Sequence, residues 1–138
     1  MKKMLSYCVC VITIIVITVL SLILFKDNSS ANIDFLKSYG WKVQKEEIES
    51  EEITIPRVFD EVYNNNNLLQ KQAGLDLEKY KGKKAVRYTY LVLNYPREVN
   101  EDVRANVICV KGVPVAGDIM TVSLGGFMHS LNYPKKEK

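Results

Sequence analysis

Leu5 to Phe25 is a stretch of 21 residues without a charged side chain, and 17 of them are hydrophobic. A helix over it rises about 32 Å at 1.5 Å per residue, enough to cross a hydrocarbon core of about 30 Å. The exceptions, Ser6, Thr13, Thr18 and Ser21, carry hydroxyls that can bond back to helix carbonyls, so lipid tolerates them. The run therefore predicts one transmembrane helix at 5–25, with the bilayer as its partner. Lys2 and Lys3 precede it, while Lys26 and Asp27 follow and cancel. By the positive-inside rule, segment 1–4 is expected in the cytoplasm and everything after the helix outside it, at the cell membrane.

A cleavable signal peptide is the competing reading. Ser29-Ser30-Ala31 supplies small residues where a signal peptidase reads, placing a possible cut near Ala31. The apolar run is longer than the 7–15 residues usual for a signal sequence, which favours a retained anchor. Leu5-Ser6-Tyr7-Cys8 is not a lipoprotein box, because it precedes the apolar run and Tyr7 is too large before a cut. Asn28-Ser29-Ser30 is a formal glycosylation sequon lying almost against the membrane.

Segment 26–31 reads as a linker, and 32–138 as one extracytoplasmic domain with enough residues for a hydrophobic core. Cys109 is the only cysteine in that domain, so no internal disulfide can form. A disulfide-free external domain suits a bacterial surface better than an animal secreted module.

Asn32 is a plausible N-cap for a helix carrying Ile33, Leu36 and Tyr39, stopped by Gly40 at C′. Trp41 and Val43 begin a strand that continues irregularly towards Ile53 and Ile55. Pro56 suits the first turn of a second helix, along which Phe59, Val62, Tyr63, Asn66, Leu69 and Ala73 trace one face up to Gly74. A loop to Lys83 with a turn at Gly82 leads into a strand with Val86, Tyr88, Tyr90 and Val92 on one face. Val103–Val110, a Lys111-Gly112 hairpin turn and Val113–Leu124 complete the strands, and Gly125-Gly126 breaks the last. The order α-β-α-β-β-β after the membrane helix predicts an α+β fold, with helices packed on one face of an antiparallel sheet.

Several strings in this domain occur together: Phe35-Leu36-Lys37-Ser38-Tyr39-Gly40-Trp41, Ile53-Thr54-Ile55-Pro56, Phe59-Asp60-Glu61-Val62-Tyr63 and Asp76-Leu77. Lys79-Tyr80-Lys81-Gly82-Lys83, Arg87-Tyr88-Thr89-Tyr90, Asn94-Tyr95-Pro96 and Gly126-Phe127-Met128-His129 follow. Together they resemble an uncharacterised family of small single-pass proteins of Gram-positive bacteria, a domain of unknown function. The resemblance implies a bacterial envelope location. It brings no catalytic residue, substrate or cofactor.

Candidate chemistry is sparse. Cys109, His129 and Asp118 are the one possible thiol–imidazole–carboxylate set, and they would define a small envelope enzyme. Against it, Cys109 lies between Ile108 and Val110 in a strand, where a buried thiol fits better than a reactive one. One histidine and one external cysteine cannot close a zinc site without carboxylates, and Glu46, Glu47, Glu49, Glu51 and Glu52 lack the loop pattern of an EF-hand. Those glutamates read as a solvated strand edge. No metal, cofactor or catalytic residue is assigned. His129 reads as a capping residue bonding a backbone carbonyl, with a pH-responsive or ligand-contacting imidazole as the alternative. Tyr88, Tyr90 and Tyr95 read as core rings whose hydroxyls reach the rim, with a binding platform as the alternative. There is no phosphate-binding glycine loop and no nucleic-acid module.

Charge is the remaining signal. Residues 32–78 carry 5 basic and 10 acidic groups, and residues 79–138 carry 11 and 5. Lys79, Lys81, Lys83, Lys84 and Arg87 form one basic cluster, and Lys135, Lys136 and Lys138 another. Either the halves neutralise each other on folding, or the basic groups converge on an anionic wall polymer or lipid surface. The leading expectation is a non-enzymatic, membrane-anchored accessory or ligand-binding domain that offers its sheet to an envelope protein. The alternatives are the Cys109–His129 enzyme and a peptidase-inhibitor-like module.

Overall fold

The computed structural model describes residues 1–134. Helix α1 runs without interruption from Lys2 to Ser38, about 55 Å at 1.5 Å per residue. Its Lys2–Leu20 part is long and apolar enough to cross a membrane, and none of it is buried against the rest of the chain. Thr13 Oγ1 donates to the Cys10 carbonyl at 2.8 Å and Thr18 Oγ1 to that of Ile15 at 2.9 Å, satisfying both hydroxyls within the helix.

Segment 26–31, read above as a linker, is helical backbone. The expected N-cap at Asn32 is accordingly corrected: Asn32 sits mid-helix, fully buried. An N-cap earns its place by satisfying orphan N–H groups, and a helix already running has none to offer. The helix ends where expected. Gly40 N–H reaches the Lys37 carbonyl at 2.9 Å and Trp41 N–H that of Leu36 at 3.1 Å. That double closure needs the positive φ of +96° that Gly40 adopts.

Five strands follow in a pure meander: β1 (Glu49–Thr54), β2 (Lys84–Leu91), β3 (Arg104–Val110), β4 (Val113–Met120) and β5 (Met128–Ser130). All neighbours are antiparallel. Helix α2 (Glu61–Gln72) and a 3₁₀ turn (Leu77–Tyr80) lie between β1 and β2. The α+β class expected from the sequence is the class observed.

Four local expectations change. Trp41–Val43 is no strand, since only Val43 bridges to Val92. Pro56 lies outside α2, which starts after Asp60; the Asp60 carboxylate accepts from Tyr63 N–H at 2.8 Å, and proline offers no such acceptor. The last long strand stops at Met120 instead of Leu124, and Met128–Ser130 returns as β5. On α2, Val62 is 73% exposed, and the buried residues are Asn67 and Gln70.

Those two amides explain the reversal. Asn67 donates to Asp76 at 2.9 Å and accepts from Leu77 N–H at 2.7 Å, fixing the 3₁₀ turn. Gln70 accepts from Gly117 N–H at 2.9 Å, serving the β4 backbone beyond the reach of short β5. A buried unpaired backbone group costs about 1–3 kcal/mol, so satisfying these donors outweighs burying one more valine.

Two hydrophobic clusters form on the alternating faces of β3. Ala105, Val107 and Cys109 pack with Leu36 of α1, Trp41, Tyr90, Ile119 and Leu131. Ile108 and Val110 pack with Ile55, Phe59 and Leu77. A bulge between Ile108 and Cys109 places Val115 and Ala116 together in the second cluster. Gly117 lies where a Cβ would stand 2.5 Å from the Asn106 carbonyl and 2.9 Å from Leu131. We expect Gly117→Ala to destabilise the domain by about 2–3 kcal/mol, measured by thermal or denaturant unfolding in detergent.

Candidate functional site

The thiol–imidazole–carboxylate set is not assembled. Cys109 sits opposite Val86 and Pro114, with its thiol buried and donating to Asn32 Oδ1 at 3.0 Å. Burial pushes that thiol up to about 11, the amide of Asn32 opposing it only in part. Asp118 pairs with Asn106, one residue along from Val107, so it lies on the other face of the sheet from Cys109. His129 pairs with Ile119, itself opposite Ala105, so it lies two strands across and four strand positions along from Cys109, about 16 Å away.

His129 instead belongs to a group of rings. Its Nδ1 meets the Ser130 carbonyl at 2.7 Å, the backbone bond expected from the sequence, and its Nε2 lies 3.1 Å from the Tyr95 hydroxyl. With Nδ1 donating, Nε2 accepts from Tyr95. Phe127 stacks on the imidazole at 5.6 Å, Trp41 stacks on Tyr95 at 5.9 Å, and Arg97 lies over both Tyr95 and Phe127. Trp41 Nε1 donates to the Leu131 carbonyl at 2.6 Å. The ring faces are thus turned on one another, locking β5 and the C-terminal segment to the core. The three tyrosines do not share a platform: Tyr90 is buried, Tyr95 is in this stack, and Tyr88 is half-buried elsewhere on β2.

Asp118 is buried in a polar row that crosses the sheet. Thr89 donates to Asn106 at 2.8 Å, and Asn106 donates to Asp118 Oδ1 at 2.8 Å, with Ser130 next in register. Burial raises the Asp118 carboxyl to about 6, while the Asn106 amide and the Arg87 charge hold it lower than burial alone would.

An open concavity lies elsewhere, on β1 and β2 beside α1, on the part of that sheet face the helix leaves uncovered. One cavity of about 460 Å³ is lined by Ile53, Lys84, Cys109 and Lys111, and a second of about 260 Å³ by Ser29, Glu47 and Tyr90. Both include Glu52, Val86 and Tyr88, so they form one trough from the helix to the β3–β4 turn. Sequence reading missed it, because it depends on where the helix crosses. Its one visible sign is the alternation of Glu52 and Thr54 opposite Val86 and Lys84.

The acidic and basic halves meet at Glu51–Arg87 and Glu78–Lys81, and Lys81 also lies 4.6 Å from the Phe59 ring centre. Lys135, Lys136 and Lys138 lie outside the described residues. Among the described residues no three His, Cys, Asp or Glu side chains converge; Glu49, Glu51 and Glu52 lie along the edge strand β1.

A meander sheet carried on the end of a long apolar helix defines a small α+β domain of the helix-mounted kind. Residues 35–119, well over half the chain, match the family described as Domain of unknown function (DUF4830), and the protein belongs to that family. No curated protein and no solved structure matches it.

Two consequences can be measured. In a Cys8→Ser, Cys10→Ser background, Cys109 should stay unmodified by a maleimide at pH 7 and react fully once the protein is unfolded. A carboxyl raised to about 6 on folding makes the folded state bind more protons than the unfolded between about pH 4 and 6. Its contribution therefore favours folding most at the acid end and is lost as pH rises through 6. Asp118→Asn keeps an acceptor for Asn106, and should flatten that slope and raise stability at pH 7 by about 2–3 kcal/mol.

Proposed function

We propose that this protein is a single-pass membrane protein of a Gram-positive envelope. Residues 1–4 are cytoplasmic, 5–25 span the bilayer, and the 32–138 domain is a non-enzymatic accessory or binding module outside the cytoplasm. The observation that carries this reading is the unbroken helix, which passes from its apolar half directly into the domain. Asn32 of that helix is fully buried, donating to the Tyr90 hydroxyl at 3.0 Å and accepting from Cys109.

The same residue argues for a retained anchor. A cut after Ala31 would remove the helical turn that leads into Asn32, and with it the bond from Ser29 to the Lys45 carbonyl. The distance between Cys109 and His129 weighs against the enzymatic alternative. Ser29 Oγ donates to the Lys45 carbonyl at 3.2 Å, only four residues beyond Phe25, which keeps the β1 side of the sheet close to the lipid surface. A domain held in that way is suited to meeting partners at the membrane.

The test is a cysteine placed at exposed Leu124 in the Cys8→Ser, Cys10→Ser background, where buried Cys109 serves as an internal negative control. A membrane-impermeant maleimide should label it in intact cells, and the labelled chain should sediment with membranes after carbonate washing. Labelling that requires cell lysis would contradict the orientation, and release by carbonate would contradict the anchor.

A further inference from the structure

We infer that the trough on β1 and β2 holds an extended, dipolar peptide segment of a partner protein exposed just outside the bilayer. This inference rests on the anchored, non-enzymatic reading and names the ligand that the trough would take. Its floor is Val86 and Tyr88, on the sheet face that α1 stops covering once Asn32 has met Tyr90 and Cys109.

The rim is segregated by charge. Glu47 lines only the end towards the helix, Lys84 and Lys111 only the end towards the β3–β4 turn, and Glu52 lies between them. All four are exposed, and none takes part in the ion pairs found among the described residues. Glu52 opposes Val86 across the strands, and Lys84 lies two residues along from Val86. Along β2, Tyr88, Val86 and Lys84 therefore succeed one another at about 7 Å, the two-residue repeat of an extended chain, with Glu52 beside Val86 and Glu47 at the Tyr90 end.

An extended peptide presents every second side chain to one side. A cationic residue, an apolar residue and a carboxylate at alternate positions would set a positive group against Glu47 and Glu52. The apolar side chain would cover Val86 and Tyr88, and the carboxylate would meet Lys84 and Lys111. Two like-charged ends would instead place one end against its own sign, which costs affinity as well as encounter rate.

The probe is a capped, fluorescein-labelled heptapeptide with Lys, Val and Glu at alternate positions separated by Thr. It is titrated by fluorescence anisotropy against the full chain in a neutral maltoside micelle. Its controls carry Lys–Val–Lys, Glu–Val–Glu, or Lys and Glu on adjacent positions. We expect the dipolar peptide to bind at least tenfold tighter than each control. Glu47→Gln with Glu52→Gln should remove its advantage over Glu–Val–Glu, and Lys84→Gln with Lys111→Gln its advantage over Lys–Val–Lys. Near-ultraviolet circular dichroism should show both double variants folded. No measurable binding, binding without a charge ranking, or a ranking unchanged in the variants would each overturn the assignment. Such a failure is distinct from failure of the anchored reading, which the maleimide labelling decides independently.

Discussion

Asn32 is the point at which the long helix becomes part of the domain. Its amide donates to the Tyr90 hydroxyl and its carbonyl accepts from the Cys109 thiol, joining α1 to β2 and β3 in the interior. Both bonds lie in the interior, so replacing Asn32 by an apolar side chain would leave the Tyr90 hydroxyl and the Cys109 thiol buried without that partner, each at about 1–3 kcal/mol. Leu36 and Trp41 extend the same attachment with apolar contact, and the closure at Gly40 turns the chain into the fold. The long helix is in this sense the first element of the domain.

From that attachment the rest of the architecture follows. Helix α1 reaches the sheet over the β1–β2 side, through Ser29, and continues towards β3 and β4. It seals the part of one face built from Ala105, Val107, Cys109 and Ile119, and leaves Val86 and Tyr88 open beside it. The other face is closed by Ile55, Phe59 and Leu77, together with the polar row from Thr89 to Asp118. The open part therefore lies beside that helix, next to Ser29. Cys109 contributes to its wall as a shielded thiol bonded to Asn32.

The parts of the fold legible in the sequence are those governed by local chemistry. The uncharged run, the glycine after Tyr39, the Lys111-Gly112 turn with φ of +50° and +75°, and the alternation in β2 each act over a few residues. The departures come from pairings distant in sequence. Asn32 resembles an N-cap until Tyr90 and Cys109 are brought against it. Val62 resembles a core residue until Asn67 and Gln70 find backbone partners at Leu77 and Gly117. Met128–Ser130 has no strand pattern, and becomes β5 because β4 offers a free edge and the rings around His129 hold it there. The Cys109–His129–Asp118 set was the chemistry most visible in composition, and alternation of strand faces takes it apart. The trough has no signature within any single segment, because it exists only between α1 and two strands.

The long apolar helix and the domain are one continuous unit, jointly stabilised through Asn32. Hydrogen exchange followed by mass spectrometry, on the full chain in lipid nanodiscs, tests it most directly. Amides from Ser29 to Leu36 should exchange as slowly as those of β3, and Asn32→Ala should speed both sets together. Fast exchange at 26–36 beside a fully protected sheet, unaffected by Asn32→Ala, would contradict it and make the helix a tether instead of a part of the fold.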